Sequence, residues 1–174
     1  MAKKKRARPI DIEIDKLTNS IELAATGQVF DTRIALVRAN EARSIRKKDW
    51  LFDWRAEVAD THREVYRLTT EDEPEVIHGL VSVEEIHDHI HVHLIESARF
   101  NRGRNKKFNG VPGNLFAHAC RLAFDRGYVG FVAFTAKTAL IEHYKTSIGA
   151  SVISGQLMQI EELAARKLVE RYKL

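Results

Sequence analysis

Ile90-His-Val-His-Leu-Ile-Glu-Ser97, a basic run from Ala98 to Lys106, and then Lys107-Phe-Asn-Gly110-Val-Pro-Gly113-Asn-Leu115 form the stretch on which the fold turns. The first part reads as a strand. Beyond Gly110 the apolar residues Leu115, Phe116, Ala119, Cys120, Leu122 and Ala123 recur at three and four, the spacing of a buried helix face, and Gly127 stands where a helix would stop. Between strand and helix lie Arg99, Arg102, Arg104, Lys106 and Lys107, five positive charges with no acid among them. A strand that passes through a glycine-bearing basic turn into a helix lets backbone N–H groups close on a phosphate, and the helix N-terminus favours negative charge. Glycines also serve ordinary tight turns, so the neighbouring elements must decide.

Upstream, Ile10, Ile12 and Ile14 alternate with acids, and Ser20 to Val37 suggests a hairpin or bent strand pair. Residues 38 to 63 are charged and helix-tolerant, with Trp50, Leu51 and Trp54 marking an apolar stripe. Strands are expected at Glu64 to Thr70 and Val76 to Val83, separated by the acidic break Glu71 to Pro74, with a connection from Glu84 to Asp88. Downstream, Tyr128 to Thr135 reads as a buried strand and Thr138 to Ser147 as a helix closed by Gly149. A strand from Ser151 to Ile160 and a helix from Glu161 to Leu174 complete the chain. An antiparallel meander followed by βαβα predicts an α+β (mixed α/β) fold, with a mostly antiparallel twisted sheet and an extra C-terminal helix.

The chain has 174 residues and a net charge of +4. Lys3, Lys4, Lys5, Arg6 and Arg8 place five positive charges in the first eight residues and leave the rest at −1. Residues 1 to 9 are expected to be a disordered basic tail with weak attraction for nucleic acid through residues 3 to 8, and residues 10 to 174 a single domain. Removing the second basic cluster as well leaves −6, so an acidic body carries one basic patch beside the helix. No apolar stretch reaches the ~20 residues of a bilayer span, and a cytoplasmic protein is expected. Cys120 stands alone, which excludes an internal disulfide and a thiolate zinc site.

With these elements the chain resembles the GNAT family of acetyl-CoA-dependent N-acetyltransferases. The family's acetyl-CoA motif reads [Q/R]-x-x-G-x-[G/A], and Lys107, Gly110 and Pro112 fall on its three positions. Lys107 and Pro112 depart from it, and Pro112 removes a backbone donor, so Gly113 and Asn114 N–H groups are expected to bind the pyrophosphate instead. In the family's second pattern, Lys137 and Leu140 replace Asn and Ala, Tyr144 matches, and Gly149 falls one residue late.

The resemblance implies transfer of an acetyl group from acetyl-CoA to a primary amine by direct attack, without a metal. It implies Tyr144 as the acid that protonates the departing thiolate, with a core tyrosine as the alternative. Glu96 is expected as the base, with an exposed strand-end glutamate or an ion pair to Arg99 or Arg102 as the alternative, and His91 or His93 as substitutes. An oxyanion donor is expected among the backbone N–H groups of Ser97 and Ala98. Lys107, Asn109, Gly110, Val111, Gly113, Asn114 and Lys137 complete the expected cofactor contacts.

The acceptor is not readable, and oligomerisation through the last helix stays open. Two other functions compete: CoA binding without catalysis, and an RNA-associated, toxin-like acetyltransferase using the basic tail. His87, His89, His91 and His93 alternate, but same-face neighbours on a strand lie ~6.6–7 Å apart, and a metal site is not expected.

Overall fold

In the computed structural model, residues 8–17 and 20–172 are described; the Lys3 to Arg6 cluster and the last two residues lie outside them. The main sheet contains β3 (Thr32–Leu36), β4 (Glu64–Thr70), β5 (Gly79–Ile86), β6 (His89–Ser97), β8 (Val132–Thr135), β9 (Ser151–Ser154) and β10 (Leu157–Ile160). Their order is β3-β4-β5-β6-β8-β10-β9, and the β6–β8 pair alone is parallel. Parallel neighbours need a crossover, and helix α2 (Val111–Asp125) supplies it. A second sheet joins β1 (Ile21–Leu23), β2 (Val29–Phe30) and β7 (Phe108–Asn109), so the hairpin foreseen near Ser20 lies against the basic loop.

Two apolar clusters cover the main sheet. Tyr66, Leu68, Val81, Val83, Ile90, Val92 and Ile95 pack with Leu115, Phe116 and Ala119 of α2, and with Ala165 and Leu168 of the C-terminal helix. The other cluster holds Val37, Ile45, Trp54, Val65, Leu80 and Leu94. The segment from 38 to 63 that covers it contains two short 3-10 helices and the brief α1 (Trp54–Ala59) rather than one long helix. Asp53 caps α1 by accepting the Ala56 N–H.

Helix α2 starts at Gly110 (φ 94°) and stops where expected. Gly127 (φ 82°) donates to the Phe124 carbonyl and Tyr128 to that of Ala123, a Schellman closure that needs the left-handed residue glycine provides. Four expectations are corrected. The strand after α2 begins only at Val132, because Tyr128–Phe131 forms a turn. The helix at 138–147 is a 3-10 turn followed by α3 (Ile141–Ile148). Ser151 to Ile160 is the hairpin β9–β10 with Gly155 (φ 57°) at its turn, not one strand. The last helix is α4 (Glu162–Arg171).

At Gly130 (φ 75°), the chain between α2 and β8 passes so close to the core that an added Cβ would lie 2.5 Å from Phe124 Cζ and 2.7 Å from Ala165 Cβ. Gly130→Ala is expected to cost about 3 kcal/mol, from overpacking plus left-handed strain. Gly103→Ala, also at positive φ but with nothing within 4 Å, is expected to cost only about 1 kcal/mol. Urea unfolding of the two variants checks this, and equal losses would show that the close approach does not matter.

Candidate active site

The ladder between β6 and β8 spans only Ile90–Val92 against Val132–Phe134. The reason lies on the other edge of β6: the pairing of Ser82 with Leu94 and of Val83 with Val92 leaves His93 as an extra residue. Such a bulge bends the strand and shifts its phase. Beyond it, β6 and the chain after β8 part and leave an opening between them. Toward β5 the register resumes, and the Ala98 N–H donates to the His78 carbonyl at 2.9 Å. Antiparallel hydrogen-bonding pairs alternate, so Leu94, Glu96 and Ala98 bond toward β5 while the N–H groups of Ile95 and Ser97 face the opening. Of the two N–H groups expected as oxyanion donors, that of Ser97 faces the opening, as does that of Ile95, and that of Ala98 does not.

Tyr144 lies on α3, fully buried, with its ring edge-on to Phe134 at 5.3 Å. Its hydroxyl meets the main chain of Ile12, a residue that lines the opening. Burial pushes its pKa well above the ordinary tyrosine range, which keeps the proton on the oxygen.

The opening is lined on its other side by the chain's own N-terminal segment. Ile10 bridges Ala136 in parallel, donating to the Thr135 carbonyl at 2.6 Å and accepting the Lys137 N–H at 2.9 Å. The Tyr144 hydroxyl donates to the Ile12 carbonyl at 2.6 Å and lies 3.3 Å from the Ile12 N–H. The Ile14 N–H donates to Nε2 of His143 at 2.8 Å, which assigns that nitrogen as an acceptor. A cavity of about 130 Å³ remains between Pro9–Ile12 and Leu94–Ser97, with Leu51, Phe52 and Arg102 at its rim.

Three residues after Ile12, Asp15 reaches the basic turn. Gly110 (φ 94°) donates its N–H to Asp15 Oδ1 at 3.1 Å, and Lys106 Nζ is 3.1 Å from Asp15 Oδ2. A carboxylate thus already sits on the first donor of α2, and the donor set accepts an anion. Gly110 is the N-cap, so Val111 and Gly113 belong to the first turn, whose N–H groups lack intrahelical partners, and Pro112 has none. The expected contribution of the Asn114 N–H is corrected: it donates to the Gly110 carbonyl, while its side-chain amide holds the carbonyls of Ser20 and Gly110. Gly113 has a packing reason as well, since a Cβ there would lie 1.9 Å from the Tyr172 hydroxyl.

The remaining expected contacts are spread out. Asn109 pairs with Glu22 in the small sheet. Lys107 is exposed, with its ammonium 5.7 Å from the Phe108 ring centre, so the lysine at the anion is Lys106, which motif alignment passed over. Lys137 pairs with Asp11 at 3.2 Å, both half exposed and worth little.

Glu96, expected as the base, is buried with its carboxylate already engaged. Oε1 accepts the Leu51 N–H at 2.6 Å, while Oε2 accepts Trp54 Nε1 at 2.6 Å and the Phe52 N–H at 3.3 Å. Arg102 lies 3.7 Å away, the ion pair foreseen as the alternative. The carboxylate ties the loop before α1 to the end of β6. His89, His91 and His93 stack along the strand, and His93 pairs with Glu84 at 2.6 Å. Among the described residues, no group of three His, Cys, Asp or Glu side chains is placed to hold a metal ion. No helix there is long and apolar enough to cross a membrane.

No protein-family model matches the chain, and no curated protein matches its sequence. Solved structures do match. The KacTA–DNA complex superposes with a TM-score of 0.58 at 12% identity, covering 80% of this chain and 99% of that one. The chain has the GNAT fold. AtaTR bound with AcCoA superposes at 0.52 with 13% identity, covering 79% and 98%. A spermidine N-acetyltransferase SpeG chimaera from Vibrio cholerae superposes at 0.51 with 12% identity, covering 78% and 98%. At such identities the likeness concerns the GNAT fold, and residue roles rest on this chain's own geometry.

Proposed function

We propose that the protein is an N-acetyltransferase that takes the acetyl group of acetyl-CoA to an amine by direct attack. One juxtaposition carries this reading: the segment Ile12–Asp15, which starts beside the N–H groups of Ile95 and Ser97, bonds to the Tyr144 hydroxyl at Ile12 and to the anion-accepting Gly110 N–H and Lys106 at Asp15, so acid, cleft-facing donors and turn stand along one line. Lys106 and the N–H groups of Gly110, Val111 and Gly113 would hold the pyrophosphate. Acetyl-CoA supplies an activated thioester. The Ile95 or Ser97 N–H stabilises negative charge developing on the acetyl oxygen; as the C–N bond forms and the C–S bond breaks, Tyr144 gives its proton to the departing sulfur, the amine sheds its proton to water, and Tyr144 is reprotonated from water. Glu96 is assigned to fixing the loop that walls the acceptor side.

The decisive experiment measures acetyl-CoA binding by thermal unfolding, then thiol release with a panel of amines. Ligand at 100 times its dissociation constant stabilises by about 2.7 kcal/mol. No shift at millimolar acetyl-CoA would sink the proposal. The chain's own residues in the opening favour, as a second reading, a GNAT-fold protein that binds CoA without turnover; binding with no thiol release across the amine panel would select it. Tyr144→Phe is expected to lower kcat about 100-fold, the lower end of general acid catalysis, without weakening acetyl-CoA binding. Steady-state thiol release checks it, and an unchanged kcat would withdraw the acid role.

A further inference from the structure

We propose that residues 9–15 form an autoinhibitory strap that occupies the acetyl-CoA cleft and must leave it before acetyl-CoA binds. The inference rests on the reading above and adds a gate to it.

Along its length the strap engages the main chain after β8 and then groups the reading assigns to the acyl donor: the Tyr144 hydroxyl, the Gly110 N–H and Lys106. At Ile10 it uses the main chain of Thr135 and Lys137, where the strands part. At Ile12 it takes the Tyr144 hydroxyl from both sides, with carbonyl and N–H. At Asp15 it places a carboxylate on the Gly110 N–H and on Lys106. Coenzyme A has amides along its arm and a pyrophosphate at the end of it; the strap has peptide amides and an acid. Asp11 also engages Lys137, another expected cofactor contact. The contacts are therefore mutually exclusive with the ligand: one Tyr144 proton and one Gly110 N–H cannot serve both.

The strap is built to leave. It contains a single bridge, Ile10 to Ala136, and lies outside every strand and helix. Ile10 and Ile14 are buried, but Asp11 and Glu13 between them face solvent. Segments held this way open locally without global unfolding. The pairing of β1 with β7, Glu22 with Asn109 and Leu23 with Phe108, involves no residue of the strap. Apparent affinity for a ligand that needs the open state is reduced by the fraction of molecules that are open.

The test uses the full chain and two variants that loosen the strap outside the assigned machinery. Asp15→Ala removes the carboxylate from the turn. His143→Ala removes the acceptor of the Ile14 N–H without touching the turn. Calorimetry with acetyl-CoA gives the affinity, and amide hydrogen exchange follows the N–H groups of Ile10, Ile12 and Ile14. About tenfold tighter binding is expected for Asp15→Ala and several-fold for His143→Ala, and acetyl-CoA should deprotect those three amides in the unmodified chain. Tighter binding by Asp15→Ala alone, with the three amides still protected, would reduce the effect to removal of a charge and overturn the strap. Equal affinities in all three proteins, with protected amides in the complex, would overturn it while leaving the acetyl-CoA reading intact. No binding by any of the three at millimolar concentration would overturn both.

Discussion

Lowering the pH from 7 to 5 is expected to cost the folded chain about 5 kcal/mol, a large part of the 5–15 kcal/mol that typically stabilises a protein. His78, His91 and His118 are each held at about 4 in the folded state, against 6.5 for an ordinary histidine, chiefly by burial. His78 lies against the rings of Phe100 and Phe108, with Nδ1 bonded to Asn101 and Nε2 without a partner among the described residues. His118 packs on Tyr66 at 4.4 Å, and His91 sits between His89 and His93, which adds like charge. The sign follows from which state takes the proton. Between pH 6.5 and 4 the unfolded chain protonates these rings and the folded chain does not, so stability is intact above pH 6.5 and lost as pH falls through that window. At pH 5 the unfolded state is favoured by about 2 kcal/mol per ring, reduced at His91 and His118 by their partial contact with water. Glu64, which Arg126 holds below the usual carboxylate range, loses its contribution only below about pH 4.5. Urea unfolding at pH 7, 6 and 5 measures the loss, and His118→Phe should remove about a third of it. Stability at pH 5 within 1 kcal/mol of that at pH 7 would mean that the three rings are not buried neutral.

The parts of the fold legible in the sequence are those fixed by local chemistry. Gly127 ended α2 because only a left-handed residue closes a Schellman turn, and the apolar spacing from Leu115 marked the face that packs on the sheet. What was not legible depends on phase and on distant partners. A bulge leaves no compositional mark, so the extra residue at His93, which ends the β6–β8 ladder and decides that Ser97 rather than Ala98 faces the opening, had no signal in the text. The alternation of Ile10, Ile12 and Ile14 promised extended structure and yielded one bridge, since period two reports which side is buried, not whether a ladder partner exists. Lys106 and Lys107 are indistinguishable as neighbours in a motif; only the position of Asp15, far upstream, separates them. Tyr144 was expected on a helix between Thr138 and Ser147, and it lies buried on α3.

Glu96→Ala is expected to destabilise the protein by about 4 kcal/mol, lowering Tm by about 10 °C, because it leaves three N–H donors at Leu51, Phe52 and Trp54 without their acceptor. Glu96→Gln separates the two roles open to this carboxylate. Its amide oxygen can satisfy one side, but the amide nitrogen then faces an N–H, so an anchor loses about 2 kcal/mol even with its shape conserved. A proton acceptor in the reaction behaves otherwise: Glu96→Gln would lower kcat by ~100-fold or more and leave unfolding unaffected. The geometry favours the anchor, since both oxygens already accept hydrogen bonds and Arg102 stands 3.7 Å away. With the anchor weakened, the Trp50–Trp54 loop moves, so KM for the amine should rise more than kcat falls, and tryptophan fluorescence should shift, as Trp54 Nε1 loses its partner. Unfolding of Glu96→Gln within about 0.5 kcal/mol of the unmodified chain, together with a large loss of kcat, would return Glu96 to the role of base. The three donors come from a segment more than 40 residues upstream, so the loop before α1 and the end of β6 are held by one carboxylate. On the proposed function, the wall on the amine side and the strand on the acyl-donor side then depend on the same buried carboxylate.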